Sequence, residues 1–313
     1  MILAVLGGVG FWQIVERYDR ALTKEELLNP GARRKPSAAS GPLNYLLIGS
    51  DERPRQTSDD QRSDTIIIAH VPKGMDRAYL VSVPRDLLVQ IPSAPNGYPG
   101  GTDKINAAFQ AGGTDQGGTQ LLSATLTNLT GLRFDGAALI NFEGFKKVVD
   151  LLGGVRMCVD TEVRSIHTNA VFTPGCHEMN GAQALDFARQ RYGLPGGDYD
   201  RQRHQQQLLR AIMERAGAAD VVGNPVKLDQ VLRAAGSALT VDTNGVPVES
   251  LAFSLRGLRS DQISGVQLPS YPEEGYGISY VRLDPSGDGL FAALRENRVR
   301  EWAEANPRWV NRL

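Results

Sequence analysis

The chain has 313 residues, 41% hydrophobic and 22% charged, and its 34 lysines and arginines nearly balance 35 aspartates and glutamates for a formal net charge of −1. At roughly 100–200 residues per domain this is material for one large domain or two modest ones. The balance excludes the general basic excess of a protein that reads phosphates along a duplex, so no nucleic-acid partner is expected and any anion site is local.

The first segment, MILAVLGGVGFWQIV, is apolar and uncharged, yet about 15 residues at ~1.5 Å rise cover only ~22 Å of a ~30 Å hydrocarbon layer. Residues 1–15 read as a partial transmembrane anchor whose upstream part lies beyond the sequence, with a buried N-terminal helix as the alternative. A signal peptide would need basic residues ahead of the apolar run and a small-residue cleavage site after it, and neither is present. Arg17, Arg20, Lys24 and the ARRK at 32–35 follow the run, which by the positive-inside tendency alone favours a cytoplasmic body. Residues 16–43 read as a juxtamembrane helix and a linker, because NPGARRKPSAASGP (29–42) is rich in Pro, Gly, Ser and Ala. The folded domain is expected over 44–300, with 301–313 as a C-terminal tail.

Within that domain NYLLIGSD, SDTIIIAHV and RAYLVSVPRDLLVQIP read as three strands, their near-continuous Leu, Ile and Val cores suiting burial on both faces. DKINAAFQAGG reads as a helix stopped by glycines, and GTQLLSATLTNLTG places Leu121, Leu122, Leu126 and Leu129 on one helical stripe. DGAALINF is a strand, EGFKKVVDLLGG a helix and VRMCVD a strand, followed by helices in NGAQALDFARQR and DRQRHQQQLLRAIMERA. From about 224 onward further helices and a strand continue the same domain. The interleaving predicts an α/β fold with a mixed central sheet and helices packed on both faces. If the helices at 121–130 and 143–152 cover that sheet, their apolar residues either fill a core or leave a groove, and periodicity is the same in both cases. The two cysteines, Cys158 and Cys176, lack metal-ligand spacing and fit either a disulfide or two buried thiols.

Polar residues collect where strands end. Asp51 and Arg53 follow IGS, Arg62 and Asp64 precede TIIIA, and Arg85 and Asp86 follow VSVP, the positions at which α/β sheets carry their sites. Asp51 and Asp64 on neighbouring strands suit one hard cation, since Mg²⁺ takes one or two protein carboxylates and fills its shell with phosphate oxygens and water. Arginines beside them offer forks for the remaining phosphate oxygens. Any single Arg–Asp neighbour pair reads equally as a solvated ion pair worth ~0–1 kcal/mol; the combination points to a pyrophosphate. The four histidines lack ligand spacing and read as non-catalytic.

The stretches LLIGSDERP, QRSDTIIIAHVPK, VSVPRDLLVQIP, DKINAAF, LTGLRFDGAALINFEGFKKVVDLLGGV, LDFARQR and GDYDRQRHQQQ, taken in order over roughly residues 44–215, resemble the LytR-CpsA-Psr family. That resemblance implies a membrane-anchored, single-pass, extracytoplasmic phosphotransferase. Such an enzyme moves a glycopolymer (arabinogalactan, teichoic acid or capsule) from a polyprenyl pyrophosphate carrier to a peptidoglycan acceptor through a phosphodiester. It implies Mg²⁺, with Mn²⁺ as an alternative, at Asp51 and Asp64, and phosphate contacts from Arg62, Arg85, Arg189, Arg191 and Arg201 beside Asp198 and Gln205. Lys104 and Asn106 match the family's KINAA and are expected to shape the same pocket. Asp51, Asp64 and Asp198 are the candidate general bases. His204 stands where the family usually has arginine, which leaves Arg203 or His204 to substitute. The implied oxidising location favours a Cys158–Cys176 disulfide and sets the body outside the membrane. Rival expectations are a hydrolase of the same lipid-linked or nucleotide-like pyrophosphates and a non-catalytic polyprenyl phosphate binder. A DNA-reading regulator does not suit a basic cluster broken by Gly-Gly and aspartates.

Overall fold

The structure, a computed structural model, describes residues 23–35, 41–50, 63–219, 221, 224–275 and 277–313. The strands are β1 (Thr23–Lys24), β2 (Leu43–Ser50), β3 (Ser63–Val71), β4 (Ala78–Ser82), β5 (Leu88–Ile91), β6 (Gly101–Lys104), β7 (Gly136–Asn141) and β8 (Val155–Val159). After these come β9 (Val163–Arg164), β10 (Val171–Phe172), β11 (Gly175–Met179), β12 (Leu239–Asp242), β13 (Ile263–Gln267), β14 (Ser270–Gly275), β15 (Ile278–Leu283) and β16 (Val310–Asn311). The helices are α1 (Ile105–Ala111), α2 (Asp115–Thr130), α3 (Phe142–Leu151), α4 (Gly181–Arg189), α5 (Asp198–Ala218), α6 (Pro225–Ala235), α7 (Val248–Leu255), α8 (Ser286–Arg295) and α9 (Val299–Ala305).

Eight strands form the central sheet in the order β1-β12-β7-β2-β3-β4-β13-β16. Three parallel pairs (β1 with β12, β2 with β7, β4 with β13) are interspersed among antiparallel ones, so the fold is the mixed α/β arrangement expected from the sequence. Local chemistry sets the helix limits. The Thr114 hydroxyl accepts from the Gly117 N–H at 3.0 Å to start α2, and Gly131 ends it at φ 69°, a left-handed turn that glycine adopts without cost. The Asn141 side chain caps α3, and a reciprocal Asn180–Gln183 box caps α4.

Residues of β2 alternate between two faces. Leu46 and Ile48 join Ile66, Ile68, Val81 and Leu139 in a large core closed by α1, α2, α8 and α9, in which Leu122, Phe134 and Leu290 are fully buried. Tyr45 and Leu47 point the other way, with Ile67, Leu80 and Ile263, beneath α5 and α7. A third cluster fills the space among α3, α4, α5 and the β8–β11 hairpin. The helix at 121–130 therefore fills a core; α3 covers the opposite side of the sheet.

Three parts of the sequence reading change. RAYLVSVPRDLLVQIP is not one strand: β4 pairs with β3 and β13, while β5 pairs with β6 in a separate hairpin. The break falls at Pro84, which lacks the N–H a ladder needs; its carbonyl instead accepts from the Leu87 N–H at 3.0 Å in a turn. Residues 29–35, assigned by composition to a linker, are built into the domain. Leu27, Leu28 and Ala32 are fully buried, the Leu28 N–H donates to Asp242 Oδ2 at 3.0 Å, and Arg33 and Arg34 pair with Asp242 and Asp135 at 3.0 and 3.3 Å. Pro and Gly marked irregular backbone there, which says nothing about burial. Residues 301–313 include the end of α9 and β16, which extends the sheet along β13. The N-terminal apolar run lies outside the described residues, and among the described residues no helix is long and apolar enough to cross a membrane.

Candidate functional site

Asp64 is the second residue of β3, and Arg85 sits in the turn that follows β4, so the β3–β4 pairing brings them together. The Arg85 guanidinium donates to Asp64 Oδ1. Its segment is fixed from behind: the Asn106 N–H donates to the Arg85 carbonyl at 3.1 Å, the Ile105 N–H to Leu87 at 2.8 Å and the Val281 N–H to Asp86 at 2.9 Å. Asp86 lies 3.7 Å from Arg85 Nε and 3.0 Å from Lys104 Nζ. Burial works against the Arg85 charge, but the carboxylates of Asp64 and Asp86 outweigh it and hold its pKa above the ordinary arginine value.

From the helical side, α5 presents Arg201, Gln205, Leu208 and Leu209 on one face, at the i, i+4, i+7, i+8 spacing of a helix. Arg201 is only 4% exposed. Its Nη2 lies 2.8 Å from Asp198 Oδ1 and its Nη1 4.0 Å from Asp64 Oδ1. Gln202 Nε2 holds the other Asp198 oxygen at 2.9 Å. Burial pulls the Arg201 pKa down, with Arg85 and Arg191 acting in the same direction against Asp198 and Asp64. A guanidinium remains charged regardless. The buried Nε atoms of Arg85 and Arg201 have no hydrogen-bond acceptor among the described residues, an unusual state for a buried donor.

Asp64, Arg85, Arg201, Gln205, Leu208 and Leu209 line a cavity of about 410 Å³. Its other walls are Leu47 and Ile67 from the sheet, Ala138 and Ile140 from β7, Phe142 and Phe145 from α3, and Leu185, Ala188 and Arg189 from α4. The Arg189 guanidinium lies 4.2 Å from the Phe142 ring centre. Beyond α4, Arg191 donates to the Tyr192 hydroxyl at 2.7 Å. Among the described residues the lining holds four arginines (Arg85, Arg189, Arg191, Arg201) against one carboxylate, Asp64. An apolar chamber whose lining includes several guanidinium groups suits an apolar-tailed anion.

The structure thus brings Asp64, Arg85, Arg189, Arg191, Arg201 and Gln205 to one cavity. Asp198 stands behind Arg201, and Lys104 and Asn106 stand behind Arg85, outside the lining. Asp51 and Arg62 lie outside the described residues. Neither Arg203 nor His204 supplies an extra contact: Arg203 pairs with Asp160 and Asp200, and His204 stacks on Phe187 with ring centres 4.3 Å apart. Burial, then Arg203, depresses the His204 pKa to about 4, so it is neutral. Sequence reasoning missed Gln206, whose fully buried amide binds Leu80, Ser82 and Val266 at 2.8–2.9 Å and locks α5 to the sheet. The run of three glutamines marked it; which one faces the sheet depends on helix phase. His167, Ile166 and Tyr192 also line the cavity and carried no sequence signal. Cys158 and Cys176 form a disulfide across the β8–β11 pair, outside the cavity lining.

Among the described residues there is no group of three or more His, Cys, Asp or Glu able to hold a metal ion. Asp64 is a hard oxygen donor of the kind Mg²⁺ uses when phosphate oxygens and water complete its shell. The donor chemistry therefore fits a cation that arrives with a phosphate, with Asp51 as the second carboxylate expected from the sequence.

Comparison with known proteins bears on the family and the fold. Residues 13–288 match the LytR_cpsA_psr family. The chain is 31% identical over 265 residues to the probable cell wall biosynthesis protein LcpB of Corynebacterium glutamicum, covering 80% of this chain but 61% of LcpB. It is 30% identical over 240 residues to the polyisoprenyl-teichoic acid–peptidoglycan teichoic acid transferase TagU of Oceanobacillus iheyensis, covering 76% of this chain and 70% of that protein. Among solved structures, protein gbs0355 of Streptococcus agalactiae superposes with a TM-score of 0.72 at 25% identity, covering 85% of this chain and 91% of its own. A TagT structure bound to LI-WTA shares the fold with a TM-score of 0.68 at 22% identity, covering 87% and 96%.

Proposed function

This chain belongs to the LytR_cpsA_psr family, and from that premise we propose that it transfers a cell-wall glycopolymer from a polyprenyl pyrophosphate carrier to peptidoglycan. The observation that carries the reading is one cavity with an apolar interior whose lining includes four arginines and Asp64. A prenyl chain suits the walls of Leu47, Ile67, Phe145 and Leu208, and a pyrophosphate suits Arg85, Arg189, Arg191 and Arg201. Similarity to the O. iheyensis teichoic acid transferase supports the same class of reaction. The body acts outside the membrane to which the carrier belongs.

In the proposed reaction a peptidoglycan sugar hydroxyl attacks the phosphorus nearest the polymer. A new P–O bond forms, the bridging P–O bond breaks, and polyprenyl phosphate leaves. Arg85 and Arg201, held by Asp64 and Asp198 and still carrying unsatisfied Nε donors, neutralise charge that spreads over the phosphoryl oxygens. Of the candidate bases Asp51, Asp64 and Asp198, a carboxylate that holds metal is a poor base, which favours the one left free of the cation for the hydroxyl proton. A divalent cation, Mg²⁺ or Mn²⁺, bound by Asp64 and Asp51 would supply further charge neutralisation.

The test is incubation of the full chain with a polyprenyl pyrophosphate-linked saccharide, peptidoglycan fragments and Mg²⁺, read by mass spectrometry. The expected product is a saccharide-phosphate–peptidoglycan adduct, lowered about 10²–10³-fold by Arg85→Ala, the size of effect seen when one preorganised charge-stabilising donor is lost. Release of free saccharide phosphate alone would replace transfer with hydrolysis. Binding without turnover would leave only a carrier-binding protein.

A further inference from the structure

Two segments without regular structure, the turn at 165–168 and the residues after α4, contribute Ile166 and Tyr192 to the cavity lining, and these side chains are 55% and 54% exposed. Short irregular segments with few apolar contacts ordinarily open easily. Here the turn is tied down from inside. The Ser165 hydroxyl donates to Asp186 Oδ1 at 2.6 Å and accepts from the backbone N–H groups of His167 and Thr168, both at 3.0 Å. The Thr168 hydroxyl donates to Asp186 Oδ2. Gln190 Nε2 reaches Asp186 Oδ1 at 2.8 Å, and Gln190 Oε1 accepts from the Ile166 N–H at 3.3 Å. Ser165, Asp186 and Gln190 are all buried.

We infer that Asp186 is a positioning residue: it holds the 165–168 turn against the cavity, and the turn gives the cavity its preference for a prenyl-tailed pyrophosphate over bare pyrophosphate. The inference rests on the carrier reading above for its ligand and on the hydrogen-bond network for its mechanism. Helix phase supplies the logic. Leu185, Ala188 and Arg189 of α4 face the cavity, while Asp186, and Gln190 one turn on, face the loop. One rigid helix therefore sets the distance between the arginine that meets phosphate and the isoleucine that meets the tail. Loosening the turn removes apolar contact from the tail and leaves the guanidinium groups where they are.

The experiment is calorimetric titration of the full chain and of Asp186→Asn, Ser165→Ala and Thr168→Val with two probes, farnesyl pyrophosphate and inorganic pyrophosphate, alongside hydrogen exchange at residues 165–170. Thr168 is exposed, so Thr168→Val tests the network in a chain that still folds. The unsubstituted chain should bind farnesyl pyrophosphate more tightly than pyrophosphate. Asp186→Asn should weaken farnesyl pyrophosphate about tenfold, in line with loss of hydrogen bonds to a charged group, and change pyrophosphate less than about twofold. Ser165→Ala and Thr168→Val should move both readings in the same direction by less, and exchange in the turn should rise in all three variants. Equal weakening of both probes would reduce Asp186 to a support for the fold, and unchanged exchange would overturn its hold on the turn. An unsubstituted chain without preference for the prenyl probe overturns the selectivity. One that binds neither probe sinks the carrier reading, while exchange alone still decides whether Asp186 holds the turn.

Discussion

The two faces of the central sheet receive the same kinds of side chain and end in opposite states. Toward α1, α2, α8 and α9, Leu46, Ile48, Ile68 and Leu139 meet Leu122, Phe134 and Leu290, and the space is filled. Toward α3, α4 and α5, Leu47, Ile67, Ala138 and Ile140 meet Phe145, Leu185 and Leu208 across about 410 Å³ of open volume. The difference lies in what stands the helices off. On the hollow side α5 is pinned to β4 and β13 by Gln206 and its buried Arg201 projects from the same helix. Polar anchors thus set the separation, where on the other face apolar side chains do. Each face also buries one histidine, His70 beside Asn44 and His204 on Phe187.

Truncation should separate the faces most. Phe134→Ala, in the filled core, is expected to cost about 3–5 kcal/mol in urea unfolding, while Phe145→Ala, which borders existing open volume, should cost about 1 kcal/mol and weaken farnesyl pyrophosphate binding instead. Similar costs at the two sites would erase the distinction. A finer probe uses adjacent residues of β7, since Ala137 lies in the filled core and Ala138 in the cavity wall. Ala137→Leu should cost about 1–3 kcal/mol through overpacking, and Ala138→Leu should be nearly neutral in stability while displacing the prenyl probe.

A pH effect is common to both faces. Burial first, and then Arg34 for His70 and Arg203 for His204, lowers each pKa from 6.5 to about 4. Between those values the unfolded chain binds protons on these residues and the folded chain does not. Stability should therefore fall as pH drops through that window, by roughly 1.4 kcal/mol per unit for each histidine. His204→Phe, which keeps the stack on Phe187, should remove about half of that slope; a slope unchanged by the substitution would place the proton uptake elsewhere.

Much of this was legible in sequence because it is local. The strands at 44–50 and 63–71, the helix stripe at Leu121, Leu122 and Leu126, and the glycine stop at 131 follow from period and turn chemistry. So did the run of arginines at 189–203. Burial of Leu27 and Leu28 was not legible, because their partners, such as Asp242 for the Leu28 N–H, are far away in the chain. The roles of Lys104 and Asn106 behind Arg85, rather than in the cavity, depend on how the β5–β6 hairpin returns to the segment after β4. Arg203 and Arg201 are two residues apart, and helix phase sends one toward Asp160 and the other into the cavity.

The sequence by itself determined the class of fold, the family, and the residue types able to bind a pyrophosphate, because periodicity, turn residues and ordered motifs are properties of short stretches. Only the tertiary structure decided which side of the sheet is hollow, which arginines face that hollow, and that Asp186 ties the 165–168 turn to the helix bearing Arg189. Those outcomes depend on the spacing between elements distant in sequence. That spacing is set by buried contacts such as Gln206 to Val266 and Asp186 to Ser165.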